Sequence, residues 1–517
     1  FCFLGFCLAS WLLTVVLGRD FFPSVDAGQF LLHIRAHTGT RIEETERLSD
    51  QVNQVIRREI PANELGGILD NIGIPNSSIQ LSYNTSGIIG PGDADILVQL
   101  KPGHAPTQSY VRKLRRSLNR EFPGTMIYFL PADIVSQTLN FGLPAPIDVQ
   151  VVGRNVTANH AIAEKLADQI KNVSGAVDVR VNQPNNWAQL KITVDRSKAA
   201  DLGLTEQNVA NSVLLSLSGS TQVTPSYWLD PAIGIEYLID VTAPQYAMDS
   251  IAQIKAMPIS AGVGAGNGAQ ILDNLATISR VNVSPVVSHY NVMPVIDVYG
   301  GVDRRDLGGV LNDIRPIVAK MKKDLPRGSS LILRGQAETM SSSYLGLGVG
   351  LVGAIMLIYF LLVINFQNWL DPFIIITALP GALAGVIWGL FLSQTTISVP
   401  ALMGAIMSLG VATANSVLVV SFARENLYRG LDPIAAALEA GAGRIRPVLM
   451  TAMAMVIGML PMSLGLGEGG EQNAPLGRAV IGGLVFATVA TLFFVPVVFS
   501  FMHRHHQYQP KNLTTTP

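Results

Sequence analysis

Residues 409 to 425 read LGVATANSVLVVSFARE, which sets Thr413, Asn415 and Ser416 inside a run that is otherwise apolar from Pro400 onward. Hydroxyls and amides in lipid do two kinds of chemistry. They hydrogen-bond one helix to another, or they line a path along which a proton or ion is handed on. Gly404, Ser408, Val411 and Asn415 are spaced i, i+4, i+7 and i+11, so they share one helix face. Small residues on one face suit close helix packing, and that is the reading for Gly404, Ser408 and Gly410. Asn415 and Thr451 ask for more. With one helix ending near 421 and the next beginning near 447, each lies about 4–6 positions, or roughly 6–9 Å, inside the same membrane boundary. They are expected to meet, either as part of a relay or as interhelical hydrogen bonding worth about 0.6 kcal/mol.

The elements that must position them follow from composition. Of 517 residues 49% are hydrophobic and 14% charged, against roughly 25% charged in a soluble domain. The mean hydropathy is +0.35, which points to a membrane protein. A formal net charge of -1 offers nothing to nucleic acid. The cysteines are Cys2 and Cys7, both in the first apolar stretch, so the polar region has no internal disulfide. A hydrocarbon core about 30 Å thick needs about 20 apolar residues per helix. Five such runs lie at about 343–364, 372–392, 398–421, 447–466 and 479–501. Residues 1–17 lack the basic start and cleavage site of a signal peptide and read as a spanning helix truncated at its front. A first residue of Phe reads as a fragment or a processed piece. Arg424, Arg429, Arg444 and Arg446 crowd the 422–446 connection, whereas 393–397 and 467–477 carry no Lys or Arg. The positive-inside rule then puts 422–446 and the C-terminus in the cytoplasm and residues 19–340 outside it.

Residues 19–340 read as repeated βαβ units. Strands are expected at 29–36, 94–101, 125–131, 147–153, 177–182, 188–194, 293–301 and 330–335. Helices are expected at 41–60, 107–122, 157–172 and 304–324, the first capped by Thr40 with Glu43 completing a capping box. Residues 184–284 are richer in Gly, Pro, Ser and Asn and look like an insertion splitting the second unit. Arg112, Lys113, Arg115, Arg116 and Arg120 read as a solvated helix face. GVGAGNG (262–268) has no long preceding strand and reads as a glycine-rich hairpin rather than a dinucleotide loop. No Walker loop, zinc spacing or nucleophile constellation is present, so no cofactor, metal site or enzymatic activity is expected. The expected fold class is an α+β membrane protein: six transmembrane helices and a large extracytoplasmic region of βαβ units with an inserted subdomain.

One helix, a split βαβ region and five helices, in that order, resemble the C-terminal half of a resistance–nodulation–division (RND) transporter. GRDFFPSVDAGQFLLHIRAHTGTRIEETE (18–46), SGAVDVRVNQ (174–183), RPVLMTAMAMVIGMLPM (446–462), GEGGEQNAPLGRAVIGGL (467–484) and FFVPVVFSF (493–501) carry the resemblance along nearly the whole chain. It implies the hydrophobe/amphiphile, multidrug branch: inner-membrane proton antiporters that work as homotrimers with a periplasmic adaptor and an outer-membrane channel on lipophilic small molecules. It divides the chain into a seventh membrane helix (1–18), a first porter subdomain (27–135), a second (136–183 with 285–340), a docking subdomain (184–284), a five-helix bundle (341–502) and a cytoplasmic tail (503–517).

The resemblance also assigns sites. SYNTSGIIGPGD (82–93) falls where the family has a flexible loop between substrate pockets, often bearing phenylalanines; here it offers Tyr83, Ile88 and Ile89. The family relay sets two aspartates of the fourth helix against a lysine and a threonine. Thr451 matches that threonine, Asn415 the asparagine after the lysine, and Arg444 an arginine near the cytoplasmic mouth. The lysine position holds Ala414, and no Asp, Glu or Lys lies inside the six apolar runs, so this chain holds at most half a relay. Two other functions compete. Heavy-metal efflux by the related branch would use clustered methionines, but Met126, Met248, Met257, Met293, Met321 and Met340 are scattered. A non-transporting structural partner would need no relay at all.

Overall fold

The computed structural model describes residues 2–74, 87–260, 269–467 and 469–504. Helix α1 spans Cys2–Val16. A first lobe follows, built from β1 (Gln29–Arg35), α2 (Ile42–Glu59), β2 (Leu65–Ile72), β3 (Asp93–Leu100), α3 (Thr107–Glu121) and β4 (Met126–Leu130). Its sheet is antiparallel with strand order β2–β3–β1–β4. Alternation along β1 sends Phe30, Leu32 and Ile34 into a core with Val52, Ile56, Leu114 and Leu118 of the two helices. His33 and Arg35 therefore point to the opposite face. Thr40 does not cap α2. Arg41 stands at the N-cap without a side-chain bond, and the Thr40 hydroxyl donates instead to the His37 carbonyl at 2.7 Å, closing the preceding turn.

The second lobe comprises β5 (Ile147–Val152), α4 (Val156–Lys171), β6 (Ala176–Val181), β7 (Ser288–Tyr290), β8 (Met293–Val302), α5 (Leu307–Met321) and β9 (Ser330–Gly335). Strands run β7–β8–β5–β9, with β6 also paired to β8. Ile147, Val149 and Val151 pack against Ile162, Leu166 and Ile314. Period-2 alternation sends Asp148 and Gln150 to the other face.

Residues 184–285 form a separate compact unit. Strands Trp187–Val194 and Ala276–Val283 pair antiparallel, over a core of Ala199, Val209, Met257, Leu272 and Leu275. The glycine-rich stretch 262–268 lies outside the described residues.

Among the described residues, five helices are long and apolar enough to cross a membrane: α6 (Gln336–Phe366), α7 (Leu370–Leu392), α8 (Val399–Tyr428), α9 (Pro433–Ser463) and α10 (Ala474–His503). Two of them run well past their apolar stretches. The expected 422–446 connection is helix except for residues 429–432, so Arg424, Arg444 and Arg446 belong to helices. A π-helical segment, Ala490–Phe494, interrupts α10.

Backbone contact sets the helix separations. A Cβ on Gly385 of α7 would meet the Gly482 carbonyl of α10 at 2.4 Å, and one on Gly404 of α8 would meet the Leu476 carbonyl at 2.7 Å. Gly410 departs from the packing reading: it is exposed, with nothing within 4 Å of an added Cβ. Gly404→Ala or Gly482→Ala is thus expected to destabilise the bundle by about 1–3 kcal/mol, since overpacking forces backbone apart. Gly410→Ala should be near neutral. Thermal unfolding of the detergent-purified protein checks this, and equal melting temperatures for all three variants would refute the close-crossing account.

Candidate functional site

The bundle brings Asn415 and Thr451 together. The Thr451 hydroxyl lies 3.2 Å from Asn415 Oδ1 and 2.9 Å from its own helix's Val448 carbonyl. Asn415 is buried. Because α8 and α9 are longer than their apolar runs, the pair sits about four to five helical turns from the helix ends, deeper along the helices than the run boundaries indicated. Beside it, Ser416 Oγ and Thr491 Oγ1 are 3.0 Å apart and both fully buried, with Thr491 inside the π-helical segment. π-Bulges recur at functional positions. Thr413 instead donates to its own Leu409 carbonyl at 2.9 Å. Arg444 does not join the pair. It lies about two turns away along α9, stacked over the Phe422 ring at 4.8 Å, with Nε lacking a hydrogen bond. Ala414 faces the outside of the described bundle.

The loop candidates divide. Tyr83 lies outside the described residues, while Ile88 and Ile89 are half-buried at the end of the loop. That end is clamped. The Ile89 N–H donates to Asp93 Oδ2 at 2.5 Å, Arg35 Nη2 to the Gly87 carbonyl at 2.7 Å, and Arg35 Nε to Asp93 Oδ1 at 2.8 Å. Burial works to raise the Asp93 carboxyl, but hydrogen bonds from His33 and Arg35 hold it down at about 2. His33 is fully buried, 2.7 Å from Asp95, and stacks on Tyr128.

The basic run of α3 is not simply solvated. Arg112 pairs with Asp303 at 2.7 Å, and Arg115 grips Asp178 through two nitrogens at 3.0 and 2.7 Å. Both acids belong to the second lobe, and Asp178 has a left-handed φ of 54°. The Arg180 guanidinium lies 3.7 Å over the Tyr128 ring.

Asp148 and Asp297 were not singled out by motif. Gln150 Nε2 bridges them, at 2.9 Å to Asp148 and 3.1 Å to Asp297, and Gln183 donates to Asp297 at 2.6 Å. Asp148 Oδ1 and Gln150 Oε1 are buried without a partner. Burial, then the charge of Asp297, pushes Asp148 up to about 8. Burial also raises Asp297, against the bonds from Gln183 and Gln150. A signal was there: IDVQVVG and MPVIDVYGG each set one Asp among apolar neighbours on a buried strand.

Five long apolar helices together with the βαβ lobes indicate a multi-pass membrane protein. A family model described as the AcrB/AcrD/AcrF family matches residues 1–503, and the chain belongs to that family of RND permeases. The chain is similar to the cobalt-zinc-cadmium resistance protein CzcA of Cupriavidus metallidurans, 26% identical over 497 residues that cover 94% of this chain and 45% of that protein. It is similar to the multidrug resistance protein MdtC of Escherichia coli, 25% identical over 517 residues, 96% of this chain and 46% of that protein. An X-ray structure of a heavy metal efflux pump matches with a TM-score of 0.80 at 24% identity, covering 97% of this chain and 49% of that one, a likeness of fold. The chain spans about half the length of these relatives.

Two outcomes are expected. Folded Asp148 binds its proton far more tightly than an unfolded aspartate of ordinary value 3.8, so its contribution to stability is full below that value and is lost as pH rises toward 8. Melting temperature should fall between pH 5 and 9, and Asp148→Asn should flatten that fall; an unchanged slope in the variant would refute the assignment. Thr451→Val removes the hydroxyl between α8 and α9 and should cost about 0.6 kcal/mol or less. Loss of transport by more than tenfold at that small cost in melting temperature would mark a relay, and a loss no larger than the stability change would mark packing.

Proposed function

We propose that this chain is the C-terminal half of an inner-membrane permease in a tripartite efflux pump that exports hydrophobic or amphiphilic compounds by proton antiport. Residues 19–340 lie in the periplasm and the C-terminus in the cytoplasm. Residues 27–135 are the first porter subdomain, 136–183 with 285–340 the second, and 184–284 the docking subdomain. The permease is a homotrimer that meets a periplasmic adaptor and an outer-membrane channel. Asn415 and Thr451 are this half's share of the proton relay, Arg444 stands on its cytoplasmic side, and the carboxylates come from the other half.

One observation carries the substrate class. Four of the six extracytoplasmic methionines are committed elsewhere: Met257, Met321 and Met340 are buried in hydrophobic cores and Met248 packs against one, while exposed Met126 and half-buried Met293 lie on strands of different lobes. Thioethers used as core filler are not available as a ligand cluster. Ile88 and Ile89, at the clamped loop end, offer an apolar edge. Metal export is the second reading, supported by the resemblance to the cobalt-zinc-cadmium resistance protein.

The test expresses the full-length protein with its adaptor and channel in a pump-deficient bacterium. Tolerance of cationic dyes and bile salts should rise severalfold, with no change toward cobalt, nickel, zinc or cadmium. The reverse pattern would establish metal export, and no change in either would remove the transport reading.

A further inference from the structure

Asp371, at the start of α7, is completely buried, and so nearly is His503, the last residue of α10. Neither lies in an apolar run or a recognised motif. The fold brings His503 Nε2 to 3.3 Å from Asp371 Oδ1. His503 Nδ1 lies 3.1 Å from the Phe499 carbonyl, one turn back on its own helix. A carbonyl only accepts, so Nδ1 must carry a hydrogen. That leaves Nε2 to face the carboxylate. If Nε2 were bare, two electron-rich atoms would meet in a buried site, and Asp371 Oδ1 has no hydrogen-bond donor of its own among the described residues. One proton, on Nε2 or on Oδ1, resolves the conflict.

Arg424 limits the cost of losing that proton, so the protonated pair is the resting state and the deprotonated pair a transient one. Arg424 of α8 lies 3.5 Å from Asp371 Oδ2, and Asn368 Nδ2 donates to the same oxygen at 3.3 Å. Arg424 also donates to the Phe366 carbonyl at 2.9 Å and to the Tyr428 hydroxyl at 3.0 Å, so it is held in place. Glu425 faces away to pair with Arg429. Among the described residues, the hydrophobic cluster that includes the last turns of α10 draws Ala436, Ala437 and Ala440 from α9 and Ile358, Leu362 and Phe366 from α6. With the proton on Nε2, the site holds an imidazolium, a carboxylate and a guanidinium. When the proton leaves to water, the imidazole is neutral with Nδ1–H, and Arg424 still answers the carboxylate.

We propose that Asp371 and His503 share one exchangeable proton and form the point where the antiported proton leaves the bundle for the cytoplasm. The site is separate from Asn415, which lies about 13 Å back along α8 from Arg424 at the helical rise. Its place in transport rests on the antiport and orientation proposed above; its proton content does not.

The experiment uses the full-length protein in lipid nanodiscs. Nitrogen NMR of ¹⁵N-histidine protein, with His503 assigned by its loss in His503→Gln, reports both ring nitrogens. Isotope-edited infrared spectroscopy reports the Asp371 carboxyl through the band lost in Asp371→Asn. At neutral pH we expect either an imidazolium at His503 or a protonated Asp371. A neutral imidazole of either tautomer beside an ionised Asp371 would overturn the proposal. In proteoliposomes carrying ethidium as cargo, His503→Gln and Asp371→Asn should cut proton flux at least tenfold with dye binding unchanged; undiminished flux would overturn the exit role. Should Asp371→Asn not fold, Asp371→Glu should keep both the proton and the flux. If the unaltered protein moves neither dye nor protons, the antiport reading fails while the spectroscopic result on the pair stands.

Discussion

Helix α10 comes so close to α7 and α8 that backbone meets backbone at glycine, and the geometry of the membrane half depends on that. Gly482 and Gly385 leave no room for a methyl group between α10 and α7, and Leu476 closes on Gly404 of α8 in the same way. In lipid there is little hydrophobic gain in bringing apolar helices together, so close van der Waals contact has to supply the association. Once α8 lies this close, Ser416 and Thr491 come within hydrogen-bonding distance. With α9 also packed on α8, Thr451 reaches Asn415. The polar contacts of the bundle interior are consequences of spacing that glycine sets.

Those interior contacts are neutral. Asn415, Thr451, Ser416 and Thr491 carry no charge, whereas Asp371, Arg424 and His503 gather where α6, α7, α8 and α10 end or begin. The division follows the cost of charge in hydrocarbon, where an ionised group needs a partner or water nearby. Hydroxyls and one amide can hydrogen-bond one helix to another there, but they bring no charge of their own into the bundle interior.

Much of the architecture was legible in sequence. Strand alternation located the cores of both lobes, and long apolar runs located the bundle, because each reports burial against a single environment. The failures share a cause. Thr40 was expected to cap α2, yet a turn three residues earlier takes its hydroxyl. The 422–446 stretch looked like a loop because its arginines end the apolar signal, yet hydrogen bonding continues the helix to Tyr428 and resumes it at Pro433. Arg112 and Arg115 looked solvated because their partners, Asp303 and Asp178, are far away in sequence. The Asn415–Thr451 contact was readable from depth alone, while Asp371–His503 was not, since it joins two run ends 132 positions apart that share no periodicity.

The two lobes carry the same argument outside the bundle. Each has its own apolar core, and each sheet turns its other face toward charged and polar groups. Charged side chains cross between them, Arg112 and Arg115 to Asp303 and Asp178 and Arg180 over the Tyr128 ring, where β4 also meets β6. Ion pairs contribute little net stability when both partners regain water together, whereas removing one partner alone strands the other. The cores of the lobes are thus apolar, while charged side chains lie where they meet.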